Sequence, residues 1–305
     1  MQDHLRGHLA MLVFSLCIAG SFSLGSIVAN RIDPVVLTAA RFVLAAGVMG
    51  LAAALTVGFS RRALSAPWRY LVLGGLFSVY FVLMFEGLKT ARPVQAAAVF
   101  TLTPAITAGF AYLLLRQVMT RRMAAALAIG AVGATWVIFR ADIGALVSFE
   151  VGAGEVTYFF GCIAHAIYTP MIRRLNRGEP PVLFTFGTLV AGAGLLCLYD
   201  WRAILGADWI NLPGIVWLTI GYLTVFATAA SFWLVQYATL RLPSAKVMAY
   251  TYLVPSWVIL WEIALGHDVP GVLTLLGVAA TFGALWLLVK NEEGMAPRRP
   301  GRATR

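Results

Sequence analysis

The feature that most constrains this chain is an internal repeat of apolar motifs, one copy in each half. The first copy contains Leu102-Thr103-Pro104-Ala105 and Gly133-Ala134-Thr135-Trp136, and the second contains Leu253-Val254-Pro255-Ser256 and Gly283-Ala284-Leu285-Trp286. The proline-to-glycine spacing is 29 residues in one copy and 28 in the other. This agreement indicates one structural unit written twice. If each unit crosses a bilayer five times, the second must be inverted relative to the first, as in many secondary transporters.

Composition places the repeat in a membrane. Hydrophobic residues make up 60% of the 305 and charged residues only 12%, about half the usual share in soluble domains. The long apolar stretches do not alternate with period two, which favours helices over a barrel. We predict an all-α integral membrane protein with ten transmembrane helices in two inverted five-helix repeats. The predicted windows are 9–29, 35–57, 68–88, 93–115, 122–139, 154–175, 181–199, 213–239, 244–265 and 270–289.

The repeat also defines the domain boundaries. Residues 1–145 form the first five-helix repeat, 146–290 the second, inverted one, and 291–305 a basic cytoplasmic tail that its Pro, Gly and Arg content predicts to be disordered. Residues 9–19 follow Arg6 as the core of a signal peptide would. We assign them to the first helix, because removing them would leave nine spans and break the inverted pairing.

The net charge of +10 comes from the connections between helices. With the N-terminus inside, the inner segments hold 17 of the 23 Lys and Arg residues, the outer segments hold five, and Arg41 lies within a span. By the positive-inside rule, both termini are predicted to be cytoplasmic. The same distribution explains the basicity without nucleic acid, and the short connections leave no room for a DNA-binding domain.

Motifs for enzymatic or metal chemistry are missing from the sequence. It contains no Gly-x-x-x-x-Gly-Lys-Ser/Thr loop, no His-Glu-x-x-His and no cluster of Asp residues. The histidines and cysteines are too scattered for a metal site or a disulfide framework. We therefore predict no enzyme activity, no cofactor and no metal. The scattered residues are His4, His8, His165, His267, Cys17, Cys162 and Cys197.

Three ionisable side chains lie within predicted spans, where such groups are functional candidates by default. Arg41, Glu86 and Glu262 all fall in the outer third of the membrane. One interpretation is an extracellular gate, a charge network that breaks and reforms. The alternative is snorkelling together with a static ion pair, either Arg41–Glu86 or Glu86–Lys89.

Polar and aromatic side chains at mid-depth predict a central substrate cavity with hydroxyls and rings but few fixed charges. His165 sits halfway along the sixth helix, where it could line the cavity or bind a neighbouring helix. Each Ser or Thr could instead bond back to its own helix. Such a cavity suits a zwitterion or an amphipathic metabolite better than a phosphate. The candidate substrate-binding residues are Ser78, Tyr80, Thr101, His165, Tyr168, Gln236, Tyr250 and Tyr252.

Pro104 and Pro255 occupy matching positions near the middle of the fourth and ninth helices. Each removes a helical hydrogen bond, which is tolerated at membrane depth only beside protein or a wet cavity. These prolines are therefore predicted to act as helix breaks or hinges.

These motifs, together with Asp33-Pro34 before Arg41 and Ala164-His165-Ala166-Ile167-Tyr168, resemble the drug/metabolite transporter superfamily. Within it the chain is most similar to ten-span members built from two EamA repeats, and among those to the YddG-type bacterial amino acid exporters. The resemblance covers about Leu9 to Val289. It departs at the Gly-Glu pair that often ends helices four and nine, which reads Arg116-Gln117 and His267-Asp268 here.

The resemblance implies a multi-pass protein of the bacterial inner membrane that exports aromatic and other neutral amino acids by alternating access. Its partners would be a small-molecule substrate and membrane lipid, with a homodimer as a further possibility. The alternatives are a drug carrier, a nucleotide-sugar or other metabolite carrier of the same superfamily, and a membrane enzyme without a recognisable motif.

Overall fold

The computed structural model describes residues 2–59, 65–139, 141–147, 151–267 and 271–290, and all regular structure in these ranges is helical. The predicted tail, 291–305, lies outside them. The α-helices are α1 (Gln2–Val28), α2 (Pro34–Thr56), α3 (Trp68–Gly87), α4 (Pro93–Phe100), α5 (Thr103–Leu115), α6 (Arg121–Ile138), α7 (Ile143–Val147), α8 (Ala153–Leu175), α9 (Pro181–Tyr199), α10 (Trp201–Gly206), α11 (Gly214–Thr224), α12 (Ser231–Thr239), α13 (Ser244–Ala249), α14 (Val254–Ala264) and α15 (Val272–Lys290). A π-helix, Val225–Ala230, joins α11 to α12, and a 3₁₀ helix, Tyr250–Leu253, joins α13 to α14.

Eight helical segments within the described ranges are long and apolar enough to cross a membrane. Helices occupy all ten predicted windows, but α8 and α15 are not among the eight. Helix α8 carries Glu155, Arg173 and Arg174, and the described apolar part of α15, Val272–Leu287, is shorter. The eight segments are His4–Val28, Pro34–Thr56, Trp68–Gly87, Pro93–Leu115, Arg121–Ile138, Pro181–Tyr199, Gly214–Thr239 and Ser244–Ala264.

Local sequence explains where several helices begin. Asp33 caps α2, because its side chain accepts hydrogen bonds from the backbone N–H groups of Val35 and Val36 at 2.8 and 3.2 Å. Pro34 follows at the first helical position, where its missing N–H is no loss. Helix α1, in contrast, begins at Gln2, seven residues earlier than the predicted start.

The helices in the fourth and ninth windows, 93–115 and 244–265, are each interrupted beside the proline that was predicted as a helix break or hinge. A proline ring clashes with the carbonyl four residues before it. For Pro104 that residue is Phe100, at which α4 ends, and for Pro255 it is Thr251, within the 3₁₀ segment. Both helices resume just before their proline, so the two breaks occupy matching places in the two halves.

Helices α2 and α9, the second and seventh of the predicted spans, pack against each other in opposite directions. Phe42 contacts Gly192 near one end of the pair, and Gly50 contacts Phe186 farther along. The residue numbers therefore rise in one helix as they fall in the other.

Helices α6 and α15, the fifth and tenth predicted spans, are also antiparallel. Gly133 and Gly277 meet backbone to backbone, and Nε1 of Trp136 donates to the Leu273 carbonyl at 2.8 Å. Gly283, which the sequence motif pairs with Gly133, has open space around it instead. Two corresponding pairs of helices thus run in opposite directions.

Helix α3 packs against α8 and α9 through close glycine contacts. A Cβ on Gly74 would lie 2.5 Å from the backbone nitrogen of Gly192, and one on Gly87 would lie 2.6 Å from the carbonyl oxygen of Gly154. Neither position has room for a larger residue. Helix α3 belongs to the first half of the chain and is therefore packed closely against two helices of the second half.

Candidate substrate cavity

A small cavity lies where α1, α3, α4, α8 and α12 meet. The space open to the centre of a water molecule is about 10 Å³, which is about the room that one water needs. In this arrangement the cavity is therefore too small for a solute larger than water. Aromatic rings form most of its wall, and its lining residues include no carboxylate, ammonium or guanidinium group. They are Phe14, Ile18, Ser21, Phe22, Phe77, Tyr80, Phe81, Met84, Phe100, His165, Ser231 and Phe232.

Stacked rings from the two halves of the chain close this cavity. Phe77 of α3 stacks on Phe232 of α12 with a centroid distance of 4.0 Å, and the Tyr168 ring of α8 lies 3.7 Å from Phe77. Phe81 is nearly parallel to Phe232 at 5.8 Å. These ring contacts join α3 to α12 across the cavity.

His165 is the basic group of the cavity wall. Its imidazole is 2% exposed and meets Tyr80 edge to face at 4.6 Å and Phe100 at 5.2 Å. The Nδ1 atom has no hydrogen-bond partner among the described residues. A buried ring nitrogen without a partner loses its hydration with no compensation.

Tyr80 joins His165 at the cavity, and its hydroxyl shares a hydrogen bond of 3.1 Å with that of Tyr158. Tyr158 belongs to α8 and is fully buried. Sequence reasoning missed Tyr158, along with Phe77 and Phe232. Aromatic residues in apolar helices are usually core, and only the tertiary contacts bring these rings together.

Tyr168 and Gln236 form a buried pair beside the cavity. The Gln236 side-chain N–H donates to the Tyr168 hydroxyl at 3.2 Å, and Oε1 of Gln236 has no partner in the described part of the chain. Neither residue lines the cavity, but the Tyr168 ring supports Phe77, which does.

The remaining predicted substrate-binding residues lie elsewhere. Ser78 donates to the Gly74 carbonyl at 2.8 Å and Thr101 to the Ala98 carbonyl at 2.6 Å, both within their own helical segments. Tyr250 shares a hydrogen bond of 2.9 Å with Nδ1 of His8. Tyr252 packs against Gly130 of α6. None of the four is a lining residue.

Two of the three predicted gate charges have local partners. Glu86 accepts from Nζ of Lys89 at 2.7 Å on the exposed end of α3, and Glu262 lies 3.0 Å from Nδ1 of His267. Of the alternatives raised by the sequence, the structure thus contains the Glu86–Lys89 pair and not an Arg41–Glu86 pair.

Arg41, the third, is fully buried in α2. Its guanidinium carbon lies 3.5 Å from the centre of the Phe81 ring and within 5.5 Å of Phe42 and Phe85. Within the described ranges Nε, Nη1 and Nη2 all lack a hydrogen-bond partner. A buried cation–π contact contributes about 2 kcal/mol, whereas desolvating an ion costs several kcal/mol. The ring therefore offsets only part of the cost of burying Arg41.

Arg69, at the first turn of α3, is a second buried arginine and has many partners. Its guanidinium donates to the carboxylate of Glu179 and to the carbonyl of Leu175, both at 2.7 Å, and to the carbonyls of Ser65 and Ala66 at 3.0 and 3.3 Å. The sequence marked Arg69 only as a basic residue of an inner segment. Nothing in it linked Arg69 to Glu179, since the two lie 110 residues apart.

Glu179 lies between α8 and α9, outside the predicted spans. Burial alone would raise the pKa of its carboxyl. The hydrogen bonds from Arg69 and from the backbone N–H of Arg177, together with the Arg69 charge, outweigh that effect and lower the pKa below its usual value. This clasp, Arg69 with Glu179, ties the first half of the chain to the second.

Metal ligands are not grouped in the described part of the molecule, where no set of three or more His, Cys, Asp and Glu side chains could hold an ion. The cysteines Cys17, Cys162 and Cys197 are unpaired thiols.

Comparison with known proteins gives one family and several relatives. The chain matches the model of the EamA-like transporter family over residues 5–139 and again over 152–290. It is 26% identical over 293 residues to the uncharacterized transporter YyaM of Bacillus subtilis (strain 168), covering 93% of this chain and 96% of that protein.

A second relative is the aromatic amino acid exporter YddG of Ancylobacter novellus, 28% identical over 214 residues, which are 68% of this chain and 71% of that one. A solved crystal structure of a protein shares the fold with a TM-score of 0.70. It is 24% identical and covers 94% of this chain and 96% of its own.

Proposed function

Because the chain belongs to the EamA-like transporter family, we propose that it exports aromatic and other neutral amino acids across the bacterial inner membrane. The observation that carries this proposal is the aromatic cavity between the two halves of the chain. Aromatic walls with a few polar groups suit a solute with an apolar ring and a polar end. The relative YddG is named as an exporter of aromatic amino acids.

We further propose that the protein has ten spans in two inverted repeats, 1–145 and 146–290, with both termini cytoplasmic. The antiparallel packing of α2 with α9 and of α6 with α15 supports the inversion, because corresponding helices of inverted repeats run in opposite directions. The distribution of Lys and Arg supports the orientation.

In this proposal transport is alternating access. The closed cavity opens to one side when α3 separates from α12, and to the other when the halves rock back. The breaks at Pro104 and Pro255 are the hinges, because interrupted helices have fewer hydrogen bonds to resist bending. The outer charges Arg41, Glu86 and Glu262 would form their gate network in an open arrangement, with Glu86 leaving Lys89 and Glu262 leaving His267.

The composition of the wall favours amino acids over the other cargoes of the superfamily. A carboxylate would pair with the charge of a cationic drug, and several Lys or Arg side chains would bind the diphosphate of a nucleotide sugar. The lining residues supply neither. A membrane enzyme would need an assembled set of reacting groups, and His165 stands among aromatic rings and aliphatic side chains instead.

The test is exchange of labelled phenylalanine, tyrosine and leucine into liposomes that contain the purified protein and are preloaded with unlabelled solute. We expect saturable uptake, suppressed by excess unlabelled amino acid. Uptake equal to that of protein-free liposomes for the whole panel, from protein shown to be folded, would overturn amino acid export. Competition by a cationic dye or a nucleotide sugar would then identify the rival cargo.

Substitutions of residues that line the cavity test whether amino acid exchange depends on it. Tyr80→Phe removes the hydroxyl that faces Tyr158 and should reduce exchange roughly 2- to 10-fold, the effect of losing one hydrogen bond. His165→Ala should reduce it at least as much. The matched control is Thr188→Val. The Thr188 hydroxyl is buried outside the cavity and donates to the carbonyl of Phe184, in its own helix, at 2.9 Å. Equal exchange in all four proteins would remove Tyr80 and His165 from the site.

A further inference from the structure

Arg41 presents three unsatisfied hydrogen-bond donors one aromatic ring away from the cavity. Nε, Nη1 and Nη2 have no partner among the described residues, and the side chain is fully buried. The guanidinium stacks on Phe81 at 3.5 Å, and that same ring lines the cavity. A shift of Phe81 would therefore bring the guanidinium to the cavity wall.

The surroundings of Arg41 show that packing did not provide its partner. The rings of Phe42, Phe81 and Phe85 lie within 5.5 Å of its guanidinium carbon, and rings accept no conventional hydrogen bond. Arg69 shows what a structural arginine looks like in this protein, with three carbonyls and a carboxylate around it. In this arrangement Arg41 has none of these acceptors among the described residues, so its donors are free to bind a group that enters the cavity.

We propose that Arg41 binds the carboxylate of the transported solute, while the aromatic rings around the cavity hold its apolar body. This inference rests on the proposed export function and names the solute class, which is a carboxylate joined to a ring or aliphatic group. The planar guanidinium offers two parallel N–H donors, which match the two oxygens of a carboxylate. In an apolar site that pair is strong, because little water screens it.

A carboxylate fits this site better than a phosphate. A phosphate carries nearly two charges and prefers several cations, whereas Arg41 is a single guanidinium among phenylalanines. The solute's ammonium group, when it has one, would face the hydroxyls and Nδ1 of His165 rather than a carboxylate, because no lining residue is acidic.

The solute class can be tested on the unaltered protein, by asking which compounds compete with the exchange of labelled phenylalanine. 3-Phenylpropionate keeps the carboxylate and lacks the ammonium group, whereas phenylalaninamide keeps the ammonium group and lacks the carboxylate. We expect 3-phenylpropionate to compete and phenylalaninamide to compete about 10- to 100-fold more weakly, the effect of losing a charged hydrogen bond. Equal competition by the two compounds would overturn the inference while leaving amino acid export intact.

Variants then assign the effect to Arg41. Arg41→Gln should raise the KM for phenylalanine about 10- to 100-fold and remove the preference for 3-phenylpropionate over phenylalaninamide. Arg41→Lys keeps the charge without the two-pronged donor and should fall between Arg41→Gln and the unaltered protein. Exchange by Arg41→Gln with unchanged KM and unchanged preference would contradict a carboxylate site at Arg41.

A binding measurement separates this inference from the transport proposal. Phenylalanine and 3-phenylpropionate should raise the unfolding temperature of the purified unaltered protein and leave that of Arg41→Gln unchanged. That result supports the Arg41 site even where liposomes show no flux. Equal stabilisation of both proteins, stabilisation by chloride alone as large as by phenylalanine, or no stabilisation of either protein would overturn it.

Discussion

Two arginines, both almost completely buried, lie in opposite surroundings within this molecule. Arg69 at the start of α3 donates to four oxygen acceptors, one of them the Glu179 carboxylate. Arg41 in α2 stacks on phenylalanine rings and lacks a hydrogen-bond partner among the described residues. One charge is compensated by the fold itself and the other is not.

The difference separates a structural arginine from a functional candidate. Removing one member of a compensated buried pair leaves the other charge stranded, whereas removing an uncompensated charge relieves the fold of a cost. Proteins retain such costs where activity needs them. Stability measurements on the two sites should therefore move in opposite directions.

The largest effect is expected for Arg69→Met. This change leaves the Glu179 carboxylate buried without its guanidinium, and breaking such a pair costs about 3–5 kcal/mol. The unfolding temperature of the purified protein in detergent measures it. The double variant Arg69→Met with Glu179→Gln should recover part of the loss, and a double variant as unstable as the single one would show that the ion pair is not the cause.

Arg41→Met should have the opposite sign. It replaces an uncompensated guanidinium by an apolar side chain of similar length, and replacing even a paired buried ion by packed apolar side chains often stabilises by about 1–4 kcal/mol. We expect a higher unfolding temperature without solute, measured beside Arg69→Met in the same detergent. A fall as large as that of Arg69→Met would make both arginines structural and end the contrast.

Acid should weaken the clasp selectively. The hydrogen bonds and charge of Arg69 lower the pKa of Glu179 in the folded state. The ionised carboxylate therefore contributes fully to the free energy of unfolding above its unfolded-state pKa of about 4.3. That contribution is lost as pH falls through the lower pKa of the folded state. The gap in unfolding temperature between the unaltered protein and Glu179→Gln should therefore be constant from pH 7 to 5 and shrink below about pH 4.3. A gap that stays constant down to pH 3.5 would contradict this assignment.

The smallest effect is expected at the exposed pair. Glu86→Gln breaks the contact with Lys89 at the exposed end of α3, and exposed ion pairs contribute about 0.2–1 kcal/mol. The unfolding temperature should barely change at moderate salt. A loss comparable to that of Arg69→Met would show that Glu86 acts beyond its local pair.

The sequence predicted the helices well, because a long apolar stretch in this composition has few alternatives. The window 35–57 matches α2 to within one residue, and the structure shows the local reason for the start, which is capping by Asp33. Pro104 and Pro255 were predicted as helix breaks or hinges, and the helices are interrupted beside both. The extent of each interruption and the π-helix Val225–Ala230 were not predicted. Such local departures from the α-helix depend on how the neighbouring helices pack around the distorted backbone.

The candidate site was predicted only in part. Tyr80 and His165 were named from the sequence and line the cavity, whereas Ser78 and Thr101 were named for the same polar character and bond to their own helical segments. Phe77, Tyr158 and Phe232 were overlooked, because an aromatic ring in an apolar helix carries no sign of which neighbour it meets.

What the sequence determined by itself is the membrane class, the helices and the twofold repeat, because apolar length, capping and motif spacing act along the chain. Only the tertiary structure decided which buried charge has partners. The sequence placed Arg41 within a span and Arg69 in an inner segment, but it did not show which of them has partners, because the acceptors of Arg69 lie up to 110 residues away. A buried charge is compensated only by groups within a few ångströms of it, because the interior has a low dielectric constant. The order of residues along the chain does not show which groups lie that close.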